Sequence, residues 1–312
     1  MYVYVAVRQC DDCVWHQMLD CMLYCTRGCT LDCTPASLMC PCTTRHLKPR
    51  CVKGKWHLGA APGIAPPPSA YGIDESCTFN SFNDTCQADG HTSNSSVNIV
   101  DSAIDFISRK AAAGTPFYVN VWLHVSHNLL NPSAAQKAAC VANSNACACS
   151  GLSDNQTTCA HQIFWAAQQD ADAQIGRLWE TLRALDLHES TVVSFTTDNG
   201  PEDEHVYISA VGSAGPFRGR KRSLYEGGIR VPFIVNWGGG TPHPMVAANT
   251  VDNTVLGAVD WFPTALKIAG IPVPPTLVGT LDGVDMSAAI VRLGNATVIV
   301  NNKTAGGTAP AL

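Results

Sequence analysis

An aspartate and an asparagine at the end of one predicted strand form the first candidate site. Asp198 and Asn199 follow the apolar run VVSFTT, and Gly200 and Pro201 then end the strand. Ligands of open α/β sheets gather beyond the carboxyl ends of the strands, so we expect both side chains to face a crevice. Their oxygen atoms suit Ca²⁺ or Mg²⁺. Taken alone, the Asp-Asn-Gly sequence is also typical of an ordinary turn.

Basic and imidazole side chains in three other segments could meet an anionic substrate. Lys55 and His57 lie two residues apart in GKWHLG and share one face if that segment is extended. His124 and His127 come near the end of the predicted strand in FYVNVWLHVSH, where either could transfer a proton or be a satisfied core histidine. Lys221 lies in the basic run GRKRS ahead of a Glu-Gly-Gly turn, and a solvated basic loop is the alternative there.

The elements expected to position these residues alternate between helix and strand, which indicates an α/β fold. The apolar patterns predict, in chain order, a helix from Ser95 or Ser96, a strand over 117–125, a long helix over 161–185, strands over 191–196 and 231–237, and a helix over 261–269. The polar region between Cys140 and Cys159 is expected to be an insertion loop held by its own disulfides.

These segments, taken in order, resemble the sulfatase family, part of the alkaline-phosphatase superfamily. The resemblance rests on GKWHLG, the strand with His127, the long helix, TTDNGPE, GRKRSLYEGGIRVP, VDWFPTALKIAG and LDGVDM. It implies a mostly parallel central sheet flanked by helices, with the active site at the carboxyl ends of the strands. It also implies hydrolysis of a sulfate ester, carried either by a carbohydrate or by an aryl group.

The resemblance implies a catalytic role for four of the residues that match. Lys55 would hold the nucleophile and a sulfate oxygen, and His57 would act as a base at the nucleophile. His127 and Lys221 would bind sulfate and help to protonate the leaving oxygen. The chemistry is consistent with these roles, because cations neutralise charge on the sulfuryl oxygens while acid catalysis assists departure.

The family's calcium site implies two pairs of ligands in this sequence. Asp198 and Asn199 match one pair. Asp11 and Asp12, in YVAVRQCDDCVW, stand where two adjacent aspartates should follow the first strand, with Trp15 at the family's spacing. An accidental polar pair in a cysteine-rich segment is the alternative for these two aspartates.

The family's nucleophile is a formylglycine, made by a formylglycine-generating enzyme from the cysteine of a Cys-x-Pro-Ser-Arg segment. Its hydrated aldehyde provides the hydroxyl that attacks sulfur. CTPASLM matches at Cys33 and Pro35, but Ser37 stands where the arginine belongs. Cys33 is nevertheless the one cysteine among the nine before residue 52 that x-Pro follows, so it is the candidate nucleophile. An ordinary disulfide cysteine is the alternative.

The resemblance divides the chain into three parts. Residues 1–53 are expected to be an irregular cysteine-rich segment, a remnant of the family's N-terminal region. Residues 54–290 are expected to form the catalytic α/β domain. Residues 291–312 are expected to be a flexible tail, with the family's smaller C-terminal domain largely absent.

Composition and charge limit the partners and the compartment. The formal net charge is −5, which gives no reason to expect a nucleic acid, and no apolar run is long enough to span a membrane. The 15 cysteines and five N-glycosylation sequons favour an oxidising compartment, so we expect a secreted or lysosomal protein, although no signal peptide is visible.

Two further hypotheses remain open at this point. The missing arginine after Pro35 would also fit a non-catalytic relative that binds calcium or sulfated glycans without turnover. The same residue types would also fit a related phosphodiesterase or phosphonate-ester hydrolase.

Overall fold

An eight-stranded sheet forms the centre of the computed structural model, which describes residues 2–7, 50–56, 67–79, 95–127, 130–143, 157–202, 211–237, 251–291 and 298–302. In chain order the strands are β1 Tyr2–Val7, β2 Arg50–Lys55, β3 Glu75–Phe79, β4 Tyr118–Trp122, β5 Thr191–Thr196, β6 Pro232–Trp237, β7 Val251–Leu256 and β8 Val298–Asn302. The helices are α1 Ser95–Ala112, α2 Ala134–Asn143, α3 Thr157–Ala184, the single turn α4 Glu226–Ile229, α5 Trp261–Ile268 and α6 Ser287–Val291.

The strands follow the order β3-β2-β4-β1-β5-β6-β8-β7 across the sheet. β2 is parallel to β3 and β4, and β7 is parallel to β8. β1 is antiparallel to β4 and β5, and β6 is antiparallel to β5 and β8. β2, β3, β4, β5, β7 and β8 therefore run one way, and β1 and β6 run the other. The mostly parallel α/β sheet expected from the sequence is confirmed.

The main core lies between this sheet and the helices α1 and α3. One face of α1 buries Ile99, Ala103 and Phe106 completely, at the i, i+4, i+7 spacing of an apolar helical stripe. Phe106 meets Phe117, just before β4, edge to face at 6.1 Å between ring centroids. Leu178 belongs to the same cluster and comes from α3. Each of the large apolar side chains, Ile99, Phe106 and Leu178, contributes about 1.5–3 kcal/mol when fully buried. This packing fixes the position of β4, and with it the segment that follows the strand.

Three expected segments differ from the observed elements. The domain boundary expected at residue 54 falls inside β2, which the apolar patterns did not predict because the strand carries charged residues. One of them, Lys53, is buried in the strand, and its Nζ contacts Glu75 Oε1 at 2.8 Å. The expected tail 291–312 contains β8, which pairs with both β6 and β7. Cys140, expected to begin a loop, lies in α2 and is disulfide-bonded. Among the described helices, none combines the length and apolarity that crossing a membrane requires.

Candidate functional site

A cavity of about 630 Å³ opens where β2, β4 and β5 end and β6 begins. Six residues singled out from the sequence line it: Lys55, His124, His127, Asp198, Asn199 and Lys221. They come from four segments that are far apart along the chain, so the fold brings together residues that the sequence predicts as site residues.

The strand register explains why these side chains reach one place. Gly54 pairs with Trp122, and Tyr2 pairs with both Trp122 and Thr196. The last residues of β2, β4 and β5 are therefore level with one another. Whatever follows each strand, beginning with Lys55 on β2, emerges at the same edge of the sheet.

The turn over 198–202 and the loop over 219–228 are locked together through their backbones. The Gly200 N–H donates to the Gly228 carbonyl at 2.9 Å, and the Lys221 N–H donates to the Pro201 carbonyl at 2.8 Å. A Cβ on Gly200 would lie 1.9 Å from the Gly227 carbonyl oxygen, so only glycine permits this approach. The backbone contact fixes Lys221 on the wall of the cavity that Asp198 also lines.

Lys55 presents a buried positive charge to the cavity. The residue is 8 % exposed, and the neighbouring Trp56 stacks on Trp122 with ring centroids 5.8 Å apart. Burial lowers the pKa of Lys55 from its ordinary value, and Lys221 lowers it further, whereas Asp198 acts in the opposite direction. An anion bound in the cavity would stabilise the charged form of Lys55 in the same way as the carboxylate does.

The two histidines of the predicted strand both line the cavity but differ in burial. His124 is 2 % exposed, whereas His127 is half-buried. Their ring centroids are 5.0 Å apart, and the backbone N–H of His127 donates to the backbone carbonyl of His124 at 2.9 Å. His127 is therefore the more accessible of the two imidazoles to a bound molecule.

Two features of the cavity were missed by sequence reasoning. Glu202 is buried in its wall and pairs with Lys221 and Arg222. The available signal was an acid directly after the turn with basic residues about twenty positions later. Phe164 and Trp165, from α3, also line the cavity, and Trp165 is 44 % exposed. Helical periodicity alone could not show that these rings face a cavity.

The oxygen atoms at the end of β5 suit a hard cation in kind. The Asp198 carboxylate is exposed to the cavity, and the Asn199 Nδ2 donates to the Gly200 carbonyl at 2.7 Å, which leaves Asn199 Oδ1 as an acceptor. Ca²⁺ takes six to eight oxygen ligands, so these two supply part of a site. Within the described ranges, no three His, Cys, Asp or Glu side chains are grouped so that they could hold a metal ion.

Four of the predicted site residues lie outside the described residues: Asp11, Asp12, Cys33 and His57. Their roles stay predictions. The direction of β1 bears on the two aspartates, because Val7 pairs with Thr191 at the start of β5. β1 thus ends at the edge of the sheet away from Asp198, which the sequence did not predict.

Comparison with known proteins gives a consistent family assignment. The family model described as "Sulfatase" matches residues 50–271. The N-acetylgalactosamine-6-sulfatase of Canis lupus familiaris is 27 % identical over 271 residues, which cover 77 % of this chain and 46 % of that protein. Arylsulfatase A of Homo sapiens is 35 % identical over 131 residues, which cover 42 % of this chain and 24 % of that protein. The chain thus spans less than half the length of these two relatives.

Solved structures agree on the fold. The PsFucS1 sulfatase from Pseudoalteromonas sp. superposes with a TM-score of 0.60 at 20 % identity, covering 80 % of this chain and 53 % of that one. The protein BT4656, solved in complex with its substrate D-glucosamine-2-N,6-O-disulfate, superposes with a TM-score of 0.53 at 15 % identity, covering 85 % of this chain and 66 % of that one.

Proposed function

Because this chain belongs to the sulfatase family, we propose that it hydrolyses sulfate esters in the cavity lined by Lys55, His127, Asp198, Asn199 and Lys221. The observation that carries the proposal is this convergence of two lysines, a histidine, an aspartate and an asparagine on one cavity of about 630 Å³. These are the residue types that binding and cleaving a sulfate ester require.

The two lysines are suited to hold the sulfuryl group. A sulfate ester carries one negative charge spread over its non-bridging oxygens. Lys55, buried at the end of β2, and Lys221, on the opposite loop, can each donate to one of these oxygens from a fixed position. Charges held in place in a poorly hydrated site stabilise developing negative charge more effectively than mobile water does. His127 is placed to protonate the ester oxygen as the alcohol leaves.

Asp198 and Asn199 would hold a calcium ion. Asp11 and Asp12 are the predicted remaining ligands, and because β1 ends at the edge of the sheet away from Asp198, the chain after Val7 would have to return to this edge to bring them there. The bound ion would neutralise charge on a sulfuryl oxygen. Cys33, converted to formylglycine by a formylglycine-generating enzyme, would supply the attacking hydroxyl. Each of these assignments extends the family resemblance to a named position of this sequence.

A sulfated carbohydrate is the favoured natural substrate, with an aryl sulfate as the simplest surrogate. A structural neighbour holds D-glucosamine-2-N,6-O-disulfate as its substrate, which supports this choice. The exposed ring of Trp165 at the cavity also suits the flat apolar face of a sugar.

A secretory location is supported by the chemistry of the cysteines. Cys77 and Cys140 are disulfide-bonded, and such bonds persist in oxidising compartments. The sequons point the same way. We therefore propose secretion or delivery to the lysosomal lumen.

Turnover of 4-nitrophenyl sulfate tests the proposal. The full chain, co-produced with a formylglycine-generating enzyme and assayed with Ca²⁺, should release nitrophenol and sulfate. Lys221→Met should lower kcat/KM by about 100-fold or more, since a fixed donor to the sulfuryl group is lost. Lys267→Met, on the exposed face of α5, is the matched control and should leave the rate unchanged.

Two outcomes would replace the proposal with one of its competitors. Faster cleavage of bis(4-nitrophenyl) phosphate than of the aryl sulfate would indicate a phosphodiesterase. Saturable binding of a sulfated glycan without turnover of any ester would indicate a non-catalytic relative.

A further inference from the structure

The carboxylate of Glu202 is clamped between two basic side chains on the wall of the cavity. Its Oε2 accepts from Lys221 Nζ at 2.8 Å, and its Oε1 accepts from Arg222 Nη1. The Glu202 side chain is only 6 % exposed, whereas that of Lys221 is 21 % exposed. Lys221 therefore has access to the cavity, and Glu202 lies behind it.

The backbone around this ion pair is held as firmly as its side chains. Arg220 Nη1 donates to the Glu202 carbonyl at 3.0 Å and to the Gly212 carbonyl at 2.9 Å. Arg222 adopts a φ of 72°, an uncommon conformation for a residue with a side chain. Such a conformation persists when its surroundings fix it, and the contact with Glu202 is one such restraint.

This arrangement places a fixed negative charge next to the group that would bind the anion. An anion that contacts Lys221 Nζ must approach the Glu202 carboxylate to within a few ångströms. The repulsion grows in proportion to the charge of the anion. A sulfate monoester carries one negative charge, whereas a phosphate monoester carries nearly two above its second pKa of about 6. Glu202 therefore penalises the phosphate ester more.

We propose that Glu202 is a positioning and specificity-determining residue, which orients the ammonium group of Lys221 and makes the cavity favour monoanionic esters over dianionic ones. The inference rests on the proposed function in assuming that Lys221 contacts the sulfuryl group. It adds the charge class of the substrate and the residue that selects it.

The test is the ratio of two specificity constants in one variant. Glu202→Gln keeps the shape and one acceptor oxygen but removes the charge. kcat/KM is measured at about pH 8 for 4-nitrophenyl sulfate and for 4-nitrophenyl phosphate, which share a leaving group. The ratio of sulfate to phosphate should fall about tenfold in the variant, because removal of a like charge at this range favours the dianion.

Asp101→Asn is the matched control. Asp101 accepts from Arg177 Nη2 at 2.6 Å in an exposed pair between α1 and α3, so this variant breaks an ion pair outside the cavity. Its ratio should equal that of the wild type. A merely structural role of Glu202 would lower both specificity constants alike, so a ratio that stays within about twofold in Glu202→Gln overturns the inference.

A separate measurement keeps the inference apart from the proposed function. If the wild type turns over neither ester, the proposed function fails, and selectivity is then read from calorimetric binding of methyl sulfate and methyl phosphate. The same tenfold change in the ratio of dissociation constants supports the role of Glu202. An unchanged ratio overturns it.

Discussion

Replacing Gly200 by alanine tests whether the backbone lock between the turn and the loop builds the site. The new Cβ would lie 1.9 Å from the Gly227 carbonyl oxygen and 2.9 Å from its carbon. These are backbone atoms, and the Gly227 N–H is itself bound to the Arg218 carbonyl at 2.7 Å. The clash therefore cannot be relieved by rotating a side chain, and the two segments must move apart.

The cost follows from two contributions. Overpacking of this kind costs about 1–3 kcal/mol, and separation breaks the hydrogen bond from Gly200 to Gly228, worth about 1 kcal/mol. Unfolding of a chain of this length responds by about 1.5 °C per kcal/mol. Gly200→Ala should therefore lower Tm by about 3–6 °C. It should also lower kcat/KM for aryl sulfate, by about 100-fold if Lys221 shifts by about 1 Å.

Thermal melts followed by circular dichroism provide the assay, with Gly176→Ala as the matched control. Gly176 lies inside α3, and a Cβ there meets no atom within 4 Å. Alanine stabilises a helix interior by up to about 1 kcal/mol relative to glycine, so this variant should melt slightly above the wild type. A Gly200→Ala variant that melts at or above the wild-type temperature would refute the lock.

Three further predictions follow from ionisable groups whose surroundings shift their pKa values. Burial raises the pKa of Glu75, but hydrogen bonds from Lys53 and Arg109 outweigh burial and hold the pKa below its ordinary value. The ionised carboxylate therefore stabilises the folded chain above the unfolded pKa of Glu75, and this contribution is lost as pH falls through the folded pKa. Glu75→Gln should accordingly flatten the acid limb of a plot of Tm against pH. Burial raises the pKa of Cys51 to about 12, so iodoacetamide should label Cys51 only after unfolding; peptide mass spectrometry that finds Cys51 itself rapidly labelled in the native chain would contradict its burial. Burial lowers the pKa of Lys55, so the affinity for sulfate, measured by calorimetry, should begin to fall at pH values below the usual pKa range of lysine. An affinity that stays constant up to and through that range would exclude Lys55 from the site.

The sequence predicts elements well where one residue pattern dominates. The predicted strand 191–196 coincides with β5, because its β-branched and aromatic residues are flanked by turns. The long helix begins at Thr157 rather than 161, since its polar first turn carries no apolar stripe. β2 was harder to recognise, because Lys53 and Lys55 look solvent-exposed in the sequence but are buried in the fold.

The candidate site is predictable to a different extent in its parts. Asp198 and Asn199 are predictable because oxygen ligands directly follow a predicted strand, and Lys221 is predictable because it lies in a basic loop. The role of Glu202 could not be predicted from the sequence, because its partners lie 19 and 20 residues further along the chain. The contact forms only because the fold brings the turn and the basic loop together. The reversed direction of β1 was also beyond the sequence, since an apolar strand has the same pattern in either direction.

A crystal structure of Cys33→Ala with 4-nitrophenyl sulfate and Ca²⁺ would test the central claim most directly, since the variant would bind the ester without consuming it. We predict sulfuryl oxygens within hydrogen-bonding distance of Lys55 Nζ and Lys221 Nζ, with the ester oxygen facing His127. An ester bound outside this cavity, or bound in it without contact to either lysine, would contradict the account.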